Sequence, residues 1–258
     1  MFSVCSYIVS MQIYFDFAVP SHNLPLLRDR LRRAFAGYQP HNIREPIGQL
    51  VKSMISSRTK DGVSLRCYEK LVGRYRSWQD VAAASLSDIH EVIRDVTFAP
   101  EKTEHLKEAL RRVALVSPDF DFSWLKLRSV PQALAWLETL PGVGRKVAAS
   151  ALNFSTLAMP AFVVDTHVIR VLSRFGIVGE RADTVTVYEA VMASVPDWTA
   201  YELSEFHVLV KRLGQTLCRF EHAACRQCPL SQSCRHAGSR PAAPPANGIA
   251  QRPERPPA

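Results

Sequence analysis

The sequence predicts an all-helical protein, because every segment with a regular apolar pattern repeats at the period of an α-helix. Its 258 residues are 47% hydrophobic, which is enough for one large or two ordinary domains. After Pro46 the apolar residues follow the i, i+3, i+4, i+7 spacing of a helix that faces a core. Ser85 and Ser129 precede further segments of this kind and have side chains that commonly cap a helix N-terminus.

Each element is predicted from its own pattern in chain order. The segment 22–36 is rich in Leu and Arg and is typical of an amphipathic helix. Ser85 and Asp88 resemble a capping box, and Gly176 is a plausible C-terminal cap. The remaining predicted helices cover residues 46–55, 62–75, 86–95, 101–116, a short stretch from 129 toward 140, 147–153, 165–172, 188–195 and 203–216.

A hairpin between two helices is predicted at residues 140–146. Ser129 and Gln132 form a capping box for the first helix, and Pro141 ends it. The backbone N–H groups of Gly142, Val143 and Gly144 then precede a second helix, whose positive dipole end is a natural seat for a phosphate. A Pro-Gly-x-Gly turn is also often only a turn, so the phosphate site is a hypothesis.

Two ionisable residues beside this hairpin are candidates for chemistry. Lys146 lies near the start of the second helix and next to Arg145, and both features should lower the pKa of its amine. A lysine that loses its proton near neutral pH is a nucleophile. Asp165 stands where a helix N-cap belongs, and most aspartates in that position are only caps.

Four of the six cysteines form a second constellation near the C-terminus. Cys218, Cys225, Cys228 and Cys234 are separated by gaps of six, two and five residues. Such clustering without a secretion signal favours metal ligation over disulfides. Zinc usually uses paired CxxC units, whereas one CxxC flanked by lone cysteines can wrap a cuboidal iron-sulfur cluster, and spacing alone leaves both open.

Net charge and hydropathy limit the class of partner. The chain carries a formal charge of +8, which suits a polyanion such as nucleic acid. Residues 147–164 contain no charge, but Ser, Asn, Thr and Pro interrupt them, so we expect no membrane span. Residues 1–15 lack the basic leader of a secretory signal, and Met11 is an alternative start. We expect a monomer in a bacterial cytoplasm, associated with the nucleoid.

Three motifs together resemble the endonuclease III family of DNA glycosylases, within the helix-hairpin-helix superfamily. They are the segments 140–146 and 164–167 and the four-cysteine series, in the expected order over residues 25 to 235. The resemblance implies a six-helix barrel containing the hairpin and a second lobe holding a [4Fe-4S] cluster on the four cysteines. Damaged double-stranded DNA would bind in the cleft between the lobes, with Arg145 and His167 among its contacts.

The resemblance also implies a bifunctional enzyme for oxidised pyrimidines. Lys146 would be the attacking amine and Asp165 the catalytic carboxylate of a glycosylase that also cuts the abasic site by beta-elimination. The similar adenine-mismatch glycosylases usually carry serine in place of this lysine. The cluster would stabilise a loop that positions basic residues against DNA, because lysine chemistry needs no electron carrier, and charge sensing on DNA is the alternative.

Two departures from the family pattern leave other functions open. Arg58 stands where family members commonly have glutamine, at a position associated with filling the gap left by the flipped base. Specificity for mismatched or UV-damaged bases is therefore one alternative, and a non-catalytic DNA-binding protein is another. The stretch from Lys146 to Asp165 is one residue longer than expected, and a loop around Met159 and Pro160 would absorb it.

The predicted organisation divides the chain into five parts. Residues 1–20 form a weakly ordered extension, and residues 21–42 hold a helix that packs with the cluster lobe. The barrel occupies 43–157 and the cluster lobe 158–236. A Pro-, Ala- and Arg-rich tail at 237–258 is predicted to be disordered.

Overall fold

The computed structural model describes residues 23–36 and 43–239, and this part of the chain is helical without a β-strand. Two isolated β-bridges are its only strand-like pairings. Its α-helices are α1 (Leu24–Ala34), α2 (Pro46–Ser56), α3 (Asp61–Arg74), α4 (Trp78–Ala83), α5 (Leu86–Ile93), α6 (Ala99–Val116), α7 (Val130–Glu138), α8 (Arg145–Asn153), α9 (Thr166–Phe175), α10 (Thr184–Ser194), α11 (Ala200–Thr216) and α12 (Arg235–Gly238). The prediction of an all-helical fold is confirmed.

The predicted caps are present where local sequence placed them. The Ser129 side chain accepts from the backbone N–H of Gln132, whose side chain accepts in return from Ser129, so the capping box of α7 is complete. Ser85 caps α5 by accepting from the backbone N–H of Asp88. Gly176 ends α9 in the left-handed region, with φ of 111°.

Several helices differ from the predicted ones in their bounds. Helix α8 begins at Arg145, two residues earlier than predicted, because Gly144 is extended and already serves as the N-cap. Helix α4 and a 3-10 helix at Ser123–Leu127 were not predicted. Each is six residues or shorter and buries a single apolar side chain, which leaves too little pattern to detect.

Helix packing separates the described part of the chain into two groups. Helices α2 to α8 pack on one another, with α2 against α3, α6 and α8. Helices α1, α9, α11 and α12 form a second group, in which α11 packs on α1 and α9. Helix α8 contacts both α10 and α11 and so joins the groups. The residue boundaries of the two predicted lobes stay a prediction.

The predicted termini are only partly described. Residues 1–20 lie outside the described residues, as do 240–258 of the predicted tail. Helix α12 includes Ala237 and Gly238, because backbone hydrogen bonds to the Cys234 carbonyl continue the chain as a helical turn. The predicted disorder of the tail beyond the described residues stays a prediction. Among the described residues no helix is long and apolar enough to cross a bilayer.

Candidate active site and cysteine cluster

The hairpin between α7 and α8 is a tight turn held by its own backbone. The backbone N–H of Val143 donates to the Leu140 carbonyl at 3.1 Å, and the Val143 side chain is buried. Gly142 has φ of 73°, and a Cβ at this position would lie 2.9 Å from the Cβ of His105. Gly142 and Gly144 are exposed, so the turn presents backbone rather than side chains to solvent.

The Arg145 side chain is paired with two carboxylates and an aromatic ring of the protein. Its guanidinium donates to Glu138 at 2.5 Å and to Glu189 at 3.1 Å, and it lies 4.8 Å from the centre of the Tyr188 ring. The Glu138 hydrogen bond is the first cause of the raised pKa of Arg145. This pairing differs from the prediction that the charge of Arg145 lowers the pKa of the neighbouring lysine, and the predicted DNA contact of Arg145 stays a prediction.

Lys146 is a half-buried residue at the second position of α8. Its amine makes no hydrogen bond or ion pair with another residue in the part of the chain that the structure describes. Burial lowers the pKa of this amine, and the positive charge of Lys211 lowers it further, against the attraction of Asp165 and Asp61. The predicted lowering is present, but burial is its main cause.

Asp165 caps α9 and lies close enough to Lys146 to act on it electrostatically. Its Oδ1 atom accepts from the backbone N–H groups of His167 and Val168, both at 2.9 Å. Burial works to raise the pKa of this carboxyl, but His207, the Val168 N–H and Lys211 together hold it below its usual value. Asp165 is therefore ionised at neutral pH.

The longer stretch between Lys146 and Asp165 contains a compact turn. Ala158 has φ of 48°, the Met159 N–H donates back to the Leu152 carbonyl, and Ala161 donates to Met159. This turn lies in the predicted region and brings the chain back toward α8 before α9 begins.

Helix α11 supplies two site residues that sequence reasoning missed. His207 and Lys211 are four residues apart and share one face of α11. The buried His207 ring donates from Nδ1 to the Val163 carbonyl at 2.7 Å, and Lys211 pairs with Asp61 at 2.9 Å. The spacing is visible in the sequence, but nothing local shows that this face points toward Asp165.

His167 lies between helices rather than at an open surface. The half-buried ring packs where α9 approaches α11, and a Cβ at Gly214 would be 2.9 Å from its own Cβ. Its Nδ1 atom lies 3.0 Å from an Nη of Arg170. The predicted DNA contact of His167 stays a prediction.

Arg58 stands at the apex of the loop between α2 and α3. It is exposed, has φ of 53°, and places its guanidinium 5.9 Å from the centre of the Phe98 ring. Phe98 is itself 53% exposed and left-handed, with φ of 60°. The Arg58 and Phe98 side chains are therefore both exposed and lie next to each other.

The Lys102 side chain is hydrogen-bonded to this loop. Its amine donates to the Ile55 and Ser57 carbonyls at 2.9 and 2.6 Å and to the Thr59 hydroxyl at 3.1 Å. Burial lowers the pKa of Lys102 to about 8, with a further contribution from Lys146. Neither Phe98 nor Lys102 was predicted, because their partners lie about forty residues earlier in the chain.

The four predicted cysteines line one apolar cavity between α9, α11 and the C-terminal loop. All four are half-buried thiols that form no disulfide, and the cavity has a volume of about 390 Å³ that includes space open to solvent. Burial raises the pKa of the Cys228 and Cys234 thiols, and repulsion from the other cysteines raises them further. The structure therefore brings together all four side chains that the sequence singled out.

Arginines of α9 hold the loop that carries these cysteines. Arg170 donates to the Cys218 carbonyl at 3.0 Å, and Arg174 donates to the Arg219 and Phe220 carbonyls at 2.6 and 2.8 Å. An Nη of Arg174 also lies 3.5 Å from Cys218 Sγ. In the described ranges, no group of three or more His, Cys, Asp or Glu side chains is arranged to hold a single metal ion.

Comparison with known proteins gives concordant results. A family model described as "HhH-GPD superfamily base excision DNA repair protein" matches residues 51–197. The chain is 30% identical over 210 residues to endonuclease III of Thermotoga maritima, covering 80% of this chain and 91% of the relative. It is 27% identical to endonuclease III of Bacillus subtilis, covering 76% and 83%. The backbone matches a trapped endonuclease III–DNA covalent intermediate with a TM-score of 0.71 at 24% identity, covering 85% and 98%.

Proposed function

Because the chain belongs to the HhH-GPD superfamily of base excision DNA repair proteins and, within it, to the endonuclease III family, we propose that it excises oxidised pyrimidines through Lys146. The chain is a DNA glycosylase and abasic-site lyase. The lesion class and the residue roles are our proposal. The observation that carries it is a half-buried amine with a lowered pKa that interacts electrostatically with an ionised carboxylate held at the N-terminus of α9.

Asp165 and Lys146 have separate roles in the first chemical step. A damaged base is extruded from the duplex, and the bond between the base and C1′ of the sugar breaks with positive charge developing on the sugar. The carboxylate of Asp165 stabilises that charge. The neutral Lys146 amine forms a bond to C1′, and the departing base takes up a proton.

The second step cuts the strand without a further nucleophile. Opening of the sugar ring leaves a Schiff base between C1′ and Lys146, which acidifies the C2′ proton. Loss of that proton expels the 3′ phosphate by breaking the C3′–O bond. Lys146 and Asp165 interact electrostatically without forming an ion pair in the described structure, so neither group blocks the other from the sugar.

The hairpin and the Arg58 loop are proposed to bind the DNA. The exposed backbone of Gly142 and Gly144 at the start of α8 offers N–H groups to a phosphate. The Arg145 side chain is already paired with two carboxylates, so its contribution is to hold the hairpin. Arg58 and Phe98 project together and are suited to enter the space left by the extruded base.

The cysteine cavity is suited to a cuboidal iron-sulfur cluster. Four thiols that form no disulfide line one apolar cavity, and they would ligate a [4Fe-4S] group through Cys218, Cys225, Cys228 and Cys234. A zinc ion held by the same four thiolates is the alternative. When bound, the iron-sulfur cluster would supply structural closure of the loop that Arg170 and Arg174 hold.

Borohydride trapping tests the proposal. Purified protein is incubated with duplex DNA carrying one thymine glycol or one abasic site, in parallel with Lys146→Ala and with the exposed Lys126→Ala as a charge-matched control. We expect a covalent protein–DNA band on both substrates for wild type and the control and no band for Lys146→Ala.

The alternative outcomes identify the competing functions. A band on the abasic site alone would keep the lyase and move the specificity to mismatched or UV-damaged bases, which a lesion panel would resolve. Intact DNA binding without a band on either substrate would reject Lys146 as the nucleophile and leave a DNA-binding protein. The predicted monomeric state and nucleoid-associated cytoplasmic location stay predictions.

A further inference from the structure

Three buried polar side chains form a hydrogen-bond network between α2 and α8, which we call the α2–α8 network. The Gln49 Nε2 atom donates to the Ser150 hydroxyl at 2.8 Å and to the Ser53 hydroxyl at 3.2 Å. The two hydroxyls lie 2.8 Å from each other, so all three side chains are joined. Each of them is at most 5% exposed, in a helix pair whose other buried residues are mainly apolar. Polar groups buried in this way cost free energy when they lose their partners, so the network favours one arrangement of the two helices.

The apolar part of the contact sets the position of α8 along α2 only weakly. The buried residues of α8 include Ala148, Ala149 and Ala151, whose side chains are small and form shallow ridges. A shift of α8 along its axis therefore loses little apolar packing. The same shift would separate Ser150 from its two partners on α2 and leave polar groups buried without hydrogen bonds. A buried polar contact of this kind can fix the register of one helix on another.

Two proposed functional elements lie at the same end of this helix pair. The Thr156 N–H donates to the Arg44 carbonyl at 3.0 Å, so the start of α2 meets the end of α8, and the two helices run antiparallel. Lys146 precedes Ser150 by four residues and therefore projects from the same face of α8, about 6 Å further along its axis. Arg58 follows the last residue of α2 by two positions. The α2–α8 network thus lies between the Thr156 anchor and the end that carries both elements.

We propose that the α2–α8 network positions the Lys146 amine relative to the Arg58 loop. The inference rests on the proposed function of Lys146 and adds how the fold places it; the three network side chains are positioning residues that do not touch DNA. The Arg58 loop is proposed to enter the space left by the extruded base, and the amine attacks the sugar of the same nucleotide. The separation of the two elements must therefore match the DNA, and a displacement of about 1 Å can slow an enzymatic reaction about 100-fold.

The test replaces the whole network by apolar side chains. The triple variant combines Gln49→Leu, Ser53→Ala and Ser150→Ala, so no polar group of the network is left buried without a partner. Exchange of all partners of a buried hydrogen bond for apolar groups is nearly neutral or stabilising, and we expect a melting temperature no lower than that of wild type. Ser173→Ala is the matched control, because it removes a buried hydroxyl of α9 that has no hydrogen-bond partner among the described residues.

Catalysis and binding are measured separately in these variants. The single-turnover rate of borohydride trapping is measured on abasic-site DNA with saturating enzyme, and Kd is measured on duplex DNA carrying a tetrahydrofuran analogue of the abasic site. We expect the triple variant to trap at least about tenfold more slowly with a Kd near that of wild type, and Ser173→Ala to match wild type in both. A triple variant that traps as fast as wild type overturns the inference. A rate that falls only together with the melting temperature also overturns it, because the network would then only stabilise the fold.

Hydrogen exchange in the free protein tests the positioning role without DNA. The backbone amides of residues 147–150 should exchange faster in the triple variant than in wild type, although its melting temperature is no lower, and Ser173→Ala should leave them unchanged. Unchanged exchange in the triple variant overturns the inference whether or not wild type traps DNA. Absence of trapping by wild type overturns the proposed function instead, and exchange then still decides whether the network holds α8, so the two failures are distinguishable.

Discussion

Replacing Gly142 by alanine should destabilise the hairpin on which the proposed phosphate site depends. The position has φ of 73°, where a residue with a Cβ costs about 1–2 kcal/mol. The new Cβ would also lie 2.9 Å from the Cβ of His105, which belongs to helix α6 and cannot rotate away. Overpacking of this kind adds about 1–3 kcal/mol, so we expect a loss of about 2–5 kcal/mol in the free energy of unfolding.

The assay is thermal unfolding followed by circular dichroism. For a domain of this size each kcal/mol moves the melting temperature by about 2–4 °C, which predicts a decrease of roughly 4–20 °C. Gly73→Ala is the matched control, because it makes the same chemical change near the end of α3, where a new Cβ meets nothing within 4 Å. There alanine should be neutral or stabilising by up to about 1 kcal/mol.

Two outcomes with these glycine variants would contradict the role proposed for the hairpin. If Gly142→Ala melts no lower than Gly73→Ala, the hairpin tolerates a side chain and its left-handed glycine is not required. If Gly142→Ala is destabilised but binds abasic-site DNA as wild type does at a temperature where both are folded, the hairpin backbone is not the phosphate contact.

Three further predictions concern the proposed carboxylate, the Arg58 loop and the first helix. Asp165→Asn should slow base excision about 100-fold or more and leave the melting temperature nearly unchanged, because Asn caps a helix as well as Asp does. If the excision rate falls only as far as the loss of stability explains, Asp165 is a cap alone. Lys102→Met should speed hydrogen exchange at residues 56–60 and slow excision, and unchanged exchange would show that its three hydrogen bonds do not hold Arg58. Glu205→Ala should cost about 2–3 kcal/mol and speed exchange in α1, since the buried Glu205 carboxylate is bound by two α1 arginines; wild-type protection of α1 would contradict this.

Local signals account for the parts of the fold and site that the sequence predicts. The Ser129 capping box, Pro141 and the glycine turn act over a few residues, and the structure shows that capping box and a turn at that place. The apolar stripe after Pro46 likewise needs no distant partner to be recognised. The four cysteines lie within seventeen positions, so the chain that separates them is too short to take them far apart.

Distant contacts account for what sequence reasoning missed or misassigned. Asp61 and Lys211 are 150 positions apart, and only the folded chain makes them an ion pair beside Lys146. Arg145 adjoins Lys146 in sequence, which suggested that its charge acts on the amine. In the folded protein Arg145 is paired with Glu138 and Glu189 instead. Burial and the charge of Lys211 lower the pKa of Lys146.

The capping role and the proposed catalytic role of Asp165 depend on the same geometry. A cap uses one oxygen, since Oδ1 accepts both backbone N–H groups at 2.9 Å, and Oδ2 takes no part in that cap. The two hydrogen bonds fix the orientation of the carboxylate and, with His207 and Lys211, keep it ionised in a half-buried site. An ionised oxygen held in advance needs no reorganisation when positive charge develops on the sugar, which is the condition for electrostatic stabilisation. The capping hydrogen bonds of Asp165 thus orient the carboxylate for its proposed catalytic role. The Asp165→Asn variant separates the two roles, because it keeps the cap and removes the charge.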